Sequence, residues 1–237
     1  MNVINNIFSI NQSYNSFKIF HFTHLVLILI SFITTIYVIK LKKKNKLFIL
    51  VSCIVLISSQ VCYYCWYLFT QNNFLQNALP LYHCDIAIIL IIIGTIFRKN
   101  NLIKIGTYWG LFGSVFGILF PTCFYFKFPF PHITHLYHFS CHIFLLLMST
   151  YYLFVNNLGM TKYDYRKSII FTICYDIFIF NFNLIFSSNY AFVNKLPFDI
   201  CIEVSPIASL FLVSLLFMLI ISLEYKLINF IYKKFEI

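Results

Sequence analysis

The sequence predicts an all-α fold, a polytopic membrane bundle of seven transmembrane helices that forms one domain over residues 1–237. Hydrophobic residues make up 61% of the chain and charged residues 10%, whereas a soluble domain carries about 25% charged residues. The mean hydropathy of +0.85 also excludes a soluble globular protein. The apolar residues form runs of about 20, the length of helix that crosses the hydrocarbon core of a bilayer.

Seven apolar runs mark the predicted spans, and the loops between them are too short to hold a soluble domain. The spans are, approximately, Phe20–Val38, Leu47–Phe69, Ala78–Phe97, Ile105–Phe124, Thr134–Val155, Ser168–Phe186 and Ile202–Leu227. We expect no cleavable signal peptide, because the first nineteen residues are polar and aromatic and the first apolar run is long enough to remain as a span.

The basic residues predict the orientation of the bundle. The formal net charge is +10, but Lys and Arg lie between apolar segments, so membrane orientation explains them better than nucleic-acid binding. Fourteen of the 17 follow the first, third, fifth and seventh spans; Lys18, Lys127 and Lys195 fall on the opposite side. The positive-inside rule therefore predicts a multi-pass protein of the cell membrane, with the N-terminus outside and the C-terminus inside.

A stripe of glycines runs along the fourth span. Gly106, Gly110, Gly113 and Gly117 form two overlapping GxxxG patterns, which allow another helix to approach closely. We interpret this stripe as a packing surface.

Four of the seven histidines lie in one stretch, from Pro129 to His142, at the start of the fifth span. On a helix, His135, His138 and His142 project within about 60° of one another, and His132 lies near them at the first turn. An ionisable side chain inside a bilayer costs on the order of 2.5–3.5 kcal/mol on insertion scales, so it normally faces protein or a water-filled cavity. The stripe therefore predicts a functional site.

The predicted topology places every histidine in the outer half of the membrane. His24 lies at the outer end of the first span, and His83, Cys84 and Asp85 begin the third span from outside. At 1.5 Å per residue, Cys84 and His142 each lie roughly 10 Å below the outer boundary. We expect a shared polar cavity that opens to the outer leaflet, although any one of these histidines also fits a simple interfacial position at a helix end.

A cysteine and a histidine at equal depth can act as a nucleophile and its base. His142 can take the proton of Cys84, and attack of the thiolate on an ester carbonyl then forms an acyl-enzyme thioester. A lysolipid hydroxyl as the second acceptor makes the reaction an acyl transfer, and water makes it a hydrolysis. Asp85 or Asp176 could orient an imidazole, but Asp85 projects about 100° away from Cys84 and is expected to serve another partner, such as His138.

Two other interpretations stay open. The histidines of the fifth span, with His83 or Asp85, could bind zinc or iron, although no fixed metal signature such as HExxH occurs. Intramembrane His and Asp also mark transport and proton-relay pathways, but the chain lacks the charge-paired, Gly/Pro-broken spans of many carriers. We predict no cofactor and no bound metal, and we expect membrane phospholipids or fatty-acyl esters as ligands. The sequence does not indicate an oligomeric state.

Three motifs, in order along the chain, carry a resemblance to a known family. They are Leu79-Pro80-Leu81-Tyr82-His83-Cys84, then Pro129-Phe130-Pro131-His132 with His142 ten residues on, then Asn189-Tyr190 followed by Lys195 and Pro197, with His24 as a further match. On these residues the chain resembles the YwaF-like integral membrane proteins of bacteria, which are similar to the eukaryotic transmembrane protein 164 group. Relatives often place a histidine two residues before the cysteine, where this chain has Tyr82.

The resemblance implies an activity and roles for particular residues. The eukaryotic group is implicated in acyl transfer to lysophospholipids through a cysteine and a histidine, and a more distant androgen-induced-gene group hydrolyses fatty-acid esters with a threonine and a histidine. By this resemblance Cys84 is the nucleophile, His142 is its base, and His132 and Asn189 support or orient the lipid. The full set of expected substrate-binding residues is His24, His83, Asp85, His132, His135, His138, Asn189 and Tyr190.

Overall fold

The computed structural model describes residues 6–11, 17–41, 43–121, 128, 130–196 and 204–235. Within these ranges the chain forms helices and turns and no strand, so the predicted all-helical class is confirmed. Several predicted features lie outside the described residues. They are residues 122–124 of the fourth span, residues 202–203 of the seventh span, Lys127, and the motif residues Pro129 and Pro197.

Seven helices of at least 14 residues occur in the described part of the chain, each at the position of a predicted span. They are α1 (Phe22–Ile39), α2 (Lys46–Thr70), α3 (His83–Ile96), α4 (Asn100–Leu119), α5 (Ile133–Phe154), α6 (Lys162–Phe186) and α7 (Pro206–Phe235). A four-residue helical turn, Phe74–Asn77, precedes α3, and a 3₁₀ turn, Tyr190–Phe192, follows α6.

Five of these helices, α1, α2, α4, α6 and α7, are long and apolar enough to cross a membrane. Helix α3 has 14 residues and a length of about 21 Å, against a hydrocarbon core of about 30 Å. Helix α5 has 22 residues, three of them histidines, and is not among the helices that are apolar enough to count as a span. The chain is therefore a helical membrane protein, while seven spans and the predicted positions of the termini stay predictions.

The end of α4 differs from the prediction. The helix ends at Leu119 and not at Phe124, because Pro121 follows. Proline has no backbone N–H to donate and its ring clashes with the preceding turn, so a helix rarely continues through it. The carbonyl oxygen of Gly117, which would accept the N–H of residue 121, is therefore left for another donor.

The start of α6 also differs from the prediction, since the helix begins at Lys162 and not at Ser168. A capping box accounts for the earlier start. The Thr161 side chain accepts the N–H of Asp164, and the Asp164 carboxylate accepts the N–H of Thr161. Lys104 donates to the same carboxylate from α4. These bonds stabilise a polar first turn that hydropathy alone does not mark as part of the span.

The chain divides into two compact units. Unit 1 comprises Met1–Asn72 and Gly110–Asn156, and unit 2 comprises Asn73–Trp109 and Asn157–Ile237. In unit 1, α5 packs against α1 and α2. In unit 2, α6 packs against α7. The prediction of one domain over the whole chain stays a prediction.

Two glycines of the α4 stripe, Gly106 and Gly110, lie at close helix contacts, in agreement with the interpretation as a packing surface. In unit 2, a Cβ on Gly106 would lie 2.8 Å from the carbonyl oxygen of Ala87 on α3. In unit 1, a Cβ on Gly110 would lie 2.7 Å from Cδ1 of Leu145 on α5. Both contacts are closer than an alanine would allow, so the missing side chains permit the approach.

Candidate functional site

The predicted site residues are divided between the two units. Unit 1 holds His24, His132, His135, His138 and His142. Unit 2 holds His83, Cys84, Asp85, Asn189 and Tyr190.

In unit 1, two histidines cap the C-terminus of α4. Nε2 of His138 lies 2.9 Å from the carbonyl oxygen of Gly117, and Nε2 of His24 lies 2.7 Å from that of Ile118. A carbonyl oxygen only accepts hydrogen bonds, so both Nε2 atoms carry the hydrogen. The Gly117 carbonyl needs this donor because Pro121, four residues on, has no N–H. Both imidazoles therefore stabilise a helix end.

His24 uses its second ring nitrogen as well. Its Nδ1 accepts the backbone N–H of Phe20 at 2.9 Å, and the side chain is fully buried. With both nitrogens engaged by the backbone, the ring is held in one orientation. The predicted contact of His24 with a lipid stays a prediction.

His142 has the opposite arrangement of its ring nitrogens. Its Nδ1 lies 2.8 Å from the carbonyl oxygen of His138, so Nδ1 carries the hydrogen and Nε2 of the neutral ring carries the lone pair. A general base needs one nitrogen oriented by the protein and the other free to accept a proton. The ring lies against Gly117, where a Cβ would overlap the imidazole. Gly117 thus provides the space that His142 occupies.

His132 and His135 lie at the start of α5, and both are buried. His132 caps the helix, because its Nδ1 accepts the N–H of Thr134, while its Nε2 donates to the carbonyl of Ser9 at 3.0 Å. Burial lowers the pKa of His132 to about 4, although the bond to the Ser9 carbonyl acts in the opposite direction. His135 packs against the ring of Phe17. His132 therefore caps α5, and the predicted contacts of His132 and His135 with lipid stay predictions.

In unit 2, His83 is paired with Asp176. Nε2 of His83 lies 2.8 Å from Oδ1 of Asp176, and the Ser214 hydroxyl donates to Oδ2 at 2.7 Å. The Asp176 side chain is fully buried and His83 is 4% exposed. The imidazole stacks on Phe217 with 3.8 Å between ring centroids, and it makes an edge-on contact with Trp109 with 5.0 Å between ring centroids. Both carboxylate oxygens have donors, and the imidazole is held in place.

Sequence reasoning missed this pair. The sequence marks Asp176 as a residue that can orient an imidazole but does not identify its partner. Asp176 is the only charged residue between Ser168 and Phe186, which is a signal that it has a partner inside the protein. The identity of the partner depends on how α3, α6 and α7 pack, which the sequence does not show.

Cys84 and Asp85 lie in the first turn of α3. Cys84 has a free thiol and is partly buried, and Asp85 is buried. A carboxylate in the first turn interacts favourably with the helix dipole. Because Cys84 belongs to unit 2 and His142 to unit 1, their pairing stays a prediction, as does the expected contact of Asp85 with His138.

Asn189 and Tyr190 form hydrogen bonds to the backbone of unit 2. Asn189 accepts the N–H of Lys195 at 2.9 Å and donates to the carbonyl of that residue at 2.8 Å. The Tyr190 hydroxyl accepts the N–H of Leu79 at 2.8 Å and donates to the carbonyl of Leu75 at 3.0 Å. Tyr190 is fully buried. This motif therefore holds the backbone that leads into α3, and its predicted contact with lipid stays a prediction.

Metal binding receives no support from these groups. In the part of the chain that the structure describes, no group of three or more His, Cys, Asp or Glu side chains is arranged to hold a metal ion. Both ring nitrogens of His24, Nε2 of His138 and Nδ1 of His142 are directed to backbone groups.

The TMEM164 family model matches residues 10–226, a range that includes every predicted site residue. No curated protein and no solved structure matches the chain. The family resemblance inferred from the three motifs is thereby confirmed, while the YwaF-like branch within it stays a prediction. The apolar helices and the family match together lead to one conclusion: this chain is a membrane protein that belongs to the TMEM164 family.

Proposed function

We propose that this protein transfers acyl groups between membrane lipids, or hydrolyses lipid esters, with Cys84 as the nucleophile and His142 as its base. The observation that carries the proposal is the state of the His142 ring, whose Nδ1–H is donated to the His138 carbonyl while Nε2 is left as the proton acceptor. Membership in the TMEM164 family supports it, because the resemblance implies this chemistry at these two positions.

In the first half of the proposed reaction, Nε2 of His142 takes the proton from the Cys84 thiol. The thiolate attacks the carbonyl carbon of a lipid ester, forming a C–S bond, and the ester C–O bond breaks. The leaving alkoxide takes the proton from the imidazolium. The products are a lysolipid and an acyl thioester on Cys84.

In the second half, an acceptor hydroxyl attacks the thioester carbonyl. A C–O bond forms, the C–S bond breaks, and the hydroxyl proton is returned to the Cys84 sulfur. A lysophospholipid as the acceptor completes an acyl transfer, and water completes a hydrolysis.

The predicted membrane arrangement is part of this proposal. All seven long helices would enter the membrane, with the N-terminus outside, the C-terminus inside and the protein in the cell membrane. The distribution of Lys and Arg, fourteen against three, supports this orientation. In this arrangement Cys84 and His142 lie in the outer half of the bilayer.

The test is a transfer assay in nanodiscs that contain a phospholipid with an isotopically labelled acyl chain and an unlabelled lysophospholipid. The wild type should move label to the lysophospholipid or release it as fatty acid, and Cys84→Ala and His142→Gln should do neither. Cys174→Ala is the matched control, because Cys174 is an exposed cysteine of α6 and should be dispensable. A Cys84→Ala variant as active as the wild type would contradict the proposal. Lipid that is bound but never converted by the wild type would favour the non-catalytic alternative.

A further inference from the structure

We propose that Asp176 is a positioning residue that holds His83 as a second proton-transfer group, and that His83 takes the proton of the acyl acceptor in the second half of the reaction. The inference rests on the proposed acyl transfer and adds to it the group that activates the acceptor hydroxyl. Neither Asp176 nor Ser214 has a place in the two-residue mechanism above.

The burial of Asp176 is the first observation in favour. The carboxylate is fully buried in the middle of an apolar helix, and its two oxygens accept from His83 on α3 and from Ser214 on α7. Removing a charge from water costs several kcal/mol, and well-packed apolar residues often replace a buried ion pair without loss of stability. Packing alone therefore does not explain this pair, and an ionisable group inside a membrane protein is a candidate functional group.

The second observation is the state of the His83 ring. Because the Asp176 carboxylate accepts, Nε2 of His83 carries the hydrogen, and Nδ1 of the neutral ring carries the lone pair. Among the described residues, Nδ1 has no hydrogen-bond partner. The ring is stacked on Phe217 and contacts the edges of Trp109 and Tyr175, so its orientation is fixed. The result is a proton acceptor held in place by an oriented carboxylate, as in a hydrolase triad.

The third observation is the location of His83 beside Cys84 in the first turn of α3. Side-chain hydrogen bonds fix the backbone that leads into this turn: Tyr190 bonds to Leu79, and the Tyr175 hydroxyl donates to the carbonyl of Leu81 at 2.7 Å. Unit 2 thus holds the oriented imidazole and the proposed nucleophile on one short, rigid stretch. His83 and Cys84 are consecutive residues with Cα atoms about 3.8 Å apart, and their side chains project about 100° from each other. The proposal therefore places the acceptor hydroxyl between these two side chains.

The proposed step is balanced within the protein and the acceptor. Nδ1 of His83 takes the proton of the acceptor hydroxyl as its oxygen forms a bond to the thioester carbonyl carbon. The Asp176 carboxylate stabilises the imidazolium that results. The C–S bond breaks, and the Cys84 thiolate recovers the proton from Nδ1 of His83.

The experiment separates the two halves of the reaction. Wild type, His83→Gln and Asp176→Asn are loaded from labelled phospholipid in nanodiscs, and mass spectrometry follows the acyl group on the Cys84 peptide before and after lysophospholipid is added. Both variants should form the thioester and discharge it more slowly than the wild type, on the order of 10²-fold for His83→Gln.

The matched control is Ser222→Ala. It removes a hydrogen bond of 2.8 Å between α6 and α7, from the Tyr165 hydroxyl, without touching His83 or Asp176. Its thioester should form and discharge as in the wild type. Equal slowing in Ser222→Ala and Asp176→Asn would overturn the proposal, since the loss of any bond between these helices would then have the same effect.

A second readout needs no enzyme turnover. In ¹⁵N-histidine NMR spectra of the wild type, with the His83 signal assigned from His83→Gln, Nε2 should be protonated and Nδ1 unprotonated. A hydrogen on Nδ1 would overturn the inference directly. Normal loading with equal discharge in wild type and His83→Gln would overturn the inference alone, whereas no thioester on wild-type Cys84 would overturn the proposed function and the role of His83 with it.

Discussion

Three histidines of unit 1 donate hydrogen bonds from their imidazole rings to backbone carbonyls. His24 and His138 donate from Nε2 to the last turn of α4, and His142 donates from Nδ1 to the carbonyl of His138. Three residues of one type therefore have two roles, depending on which nitrogen is bonded. His24 and His138 stabilise a helix end, and His142 keeps an unprotonated Nε2, the proton acceptor of the proposed reaction.

Gly117 is the residue on which the position of His142 depends most directly. Gly117→Ala should displace the imidazole, since the added Cβ would overlap the ring. Overpacking of this kind typically lowers the free energy of unfolding by about 1–3 kcal/mol. Because the imidazole is also displaced, we expect the rate of acyl transfer to fall at least tenfold. The measurement is the transfer assay on variant protein that is still monodisperse.

The control for that variant is Gly110→Ala. Its Cβ would lie 2.7 Å from Leu145 and 2.8 Å from Ser149, so it overpacks the same helix without touching His142. Gly110→Ala should lower the free energy of unfolding as Gly117→Ala does, but it should leave the rate of acyl transfer close to that of the wild type. An equal drop in activity for both glycine variants would contradict the role given to Gly117.

His132 should make stability depend on pH. Burial lowers its pKa from 6.5 to about 4 in the folded protein, so the unfolded chain binds more protons between these values. Its contribution is complete above about pH 6.5 and is lost as pH falls toward 4. The thermal unfolding temperature in detergent should therefore drop between pH 7 and pH 5, and His132→Asn should reduce that drop.

The control for His132 is His21→Asn, because His21 is exposed and precedes α1. This variant should keep the pH dependence of the wild type. If His132→Asn and the wild type lose stability in parallel as the pH falls, another group is responsible and the assignment to His132 is wrong.

The ends of the helices, more than their middles, determine where the functional groups lie. Pro121 stops α4 and leaves a carbonyl for His138, and the residues before α3 are held by Tyr190. Both the His138 bond and the Tyr190 bond hold backbone groups at a helix end. The elements that carry the proposed nucleophile and the proposed base are therefore each anchored at the turn where the chemistry would occur.

Tyr190→Phe tests the anchoring of α3. The change removes the acceptor of the Leu79 N–H and the donor to the Leu75 carbonyl. When a buried backbone group loses its hydrogen-bond partner, the protein loses about 1–3 kcal/mol of stability. The free energy of unfolding should fall by this amount, and hydrogen–deuterium exchange should become faster over residues 75–81. Tyr163→Phe, at an exposed tyrosine of α6, should change neither, and unaltered exchange in Tyr190→Phe would contradict the anchoring role.

The apolar runs were sufficient to predict where the helices lie but not where they end. Hydropathy located all seven, because each is built from a long apolar segment. The ends follow polar and conformational signals instead, such as Pro121 and the capping box of Thr161 with Asp164. The pairing of His83 with Asp176 could not be predicted, because it depends on the rotation and packing of separate helices.

For the molecule as a whole, the family match and the apolar helices establish a membrane protein. Its orientation is a prediction that rests on the distribution of charge alone. Helix α3 is the decisive element for this orientation, because its 14 residues are shorter than a hydrocarbon core. If α3 did not cross, the basic residues that follow it, Arg98, Lys99 and Lys104, would fall on the other side.

Reporter fusions test this orientation. Alkaline phosphatase joined after residue 72 should be active outside the cell, whereas fusions after residue 99, after residue 157 and at the C-terminus should be inactive. A green fluorescent protein at the last three points should fluoresce. An active phosphatase after residue 99 would show that α3 does not cross the membrane and would contradict the predicted seven spans.

In the proposed reaction Cys84 carries the acyl group, and His142 is the base that allows Cys84 to accept it. Incubation with labelled phospholipid in nanodiscs, followed by quenching and peptide mass spectrometry, measures this directly. The Cys84 peptide of the wild type should gain the mass of one labelled acyl chain, and hydroxylamine should remove it, as expected for a thioester. Loading should be at least 10²-fold slower in His142→Gln. Labelled product formed with no acyl group on Cys84, or loading at the wild-type rate in His142→Gln, would contradict it.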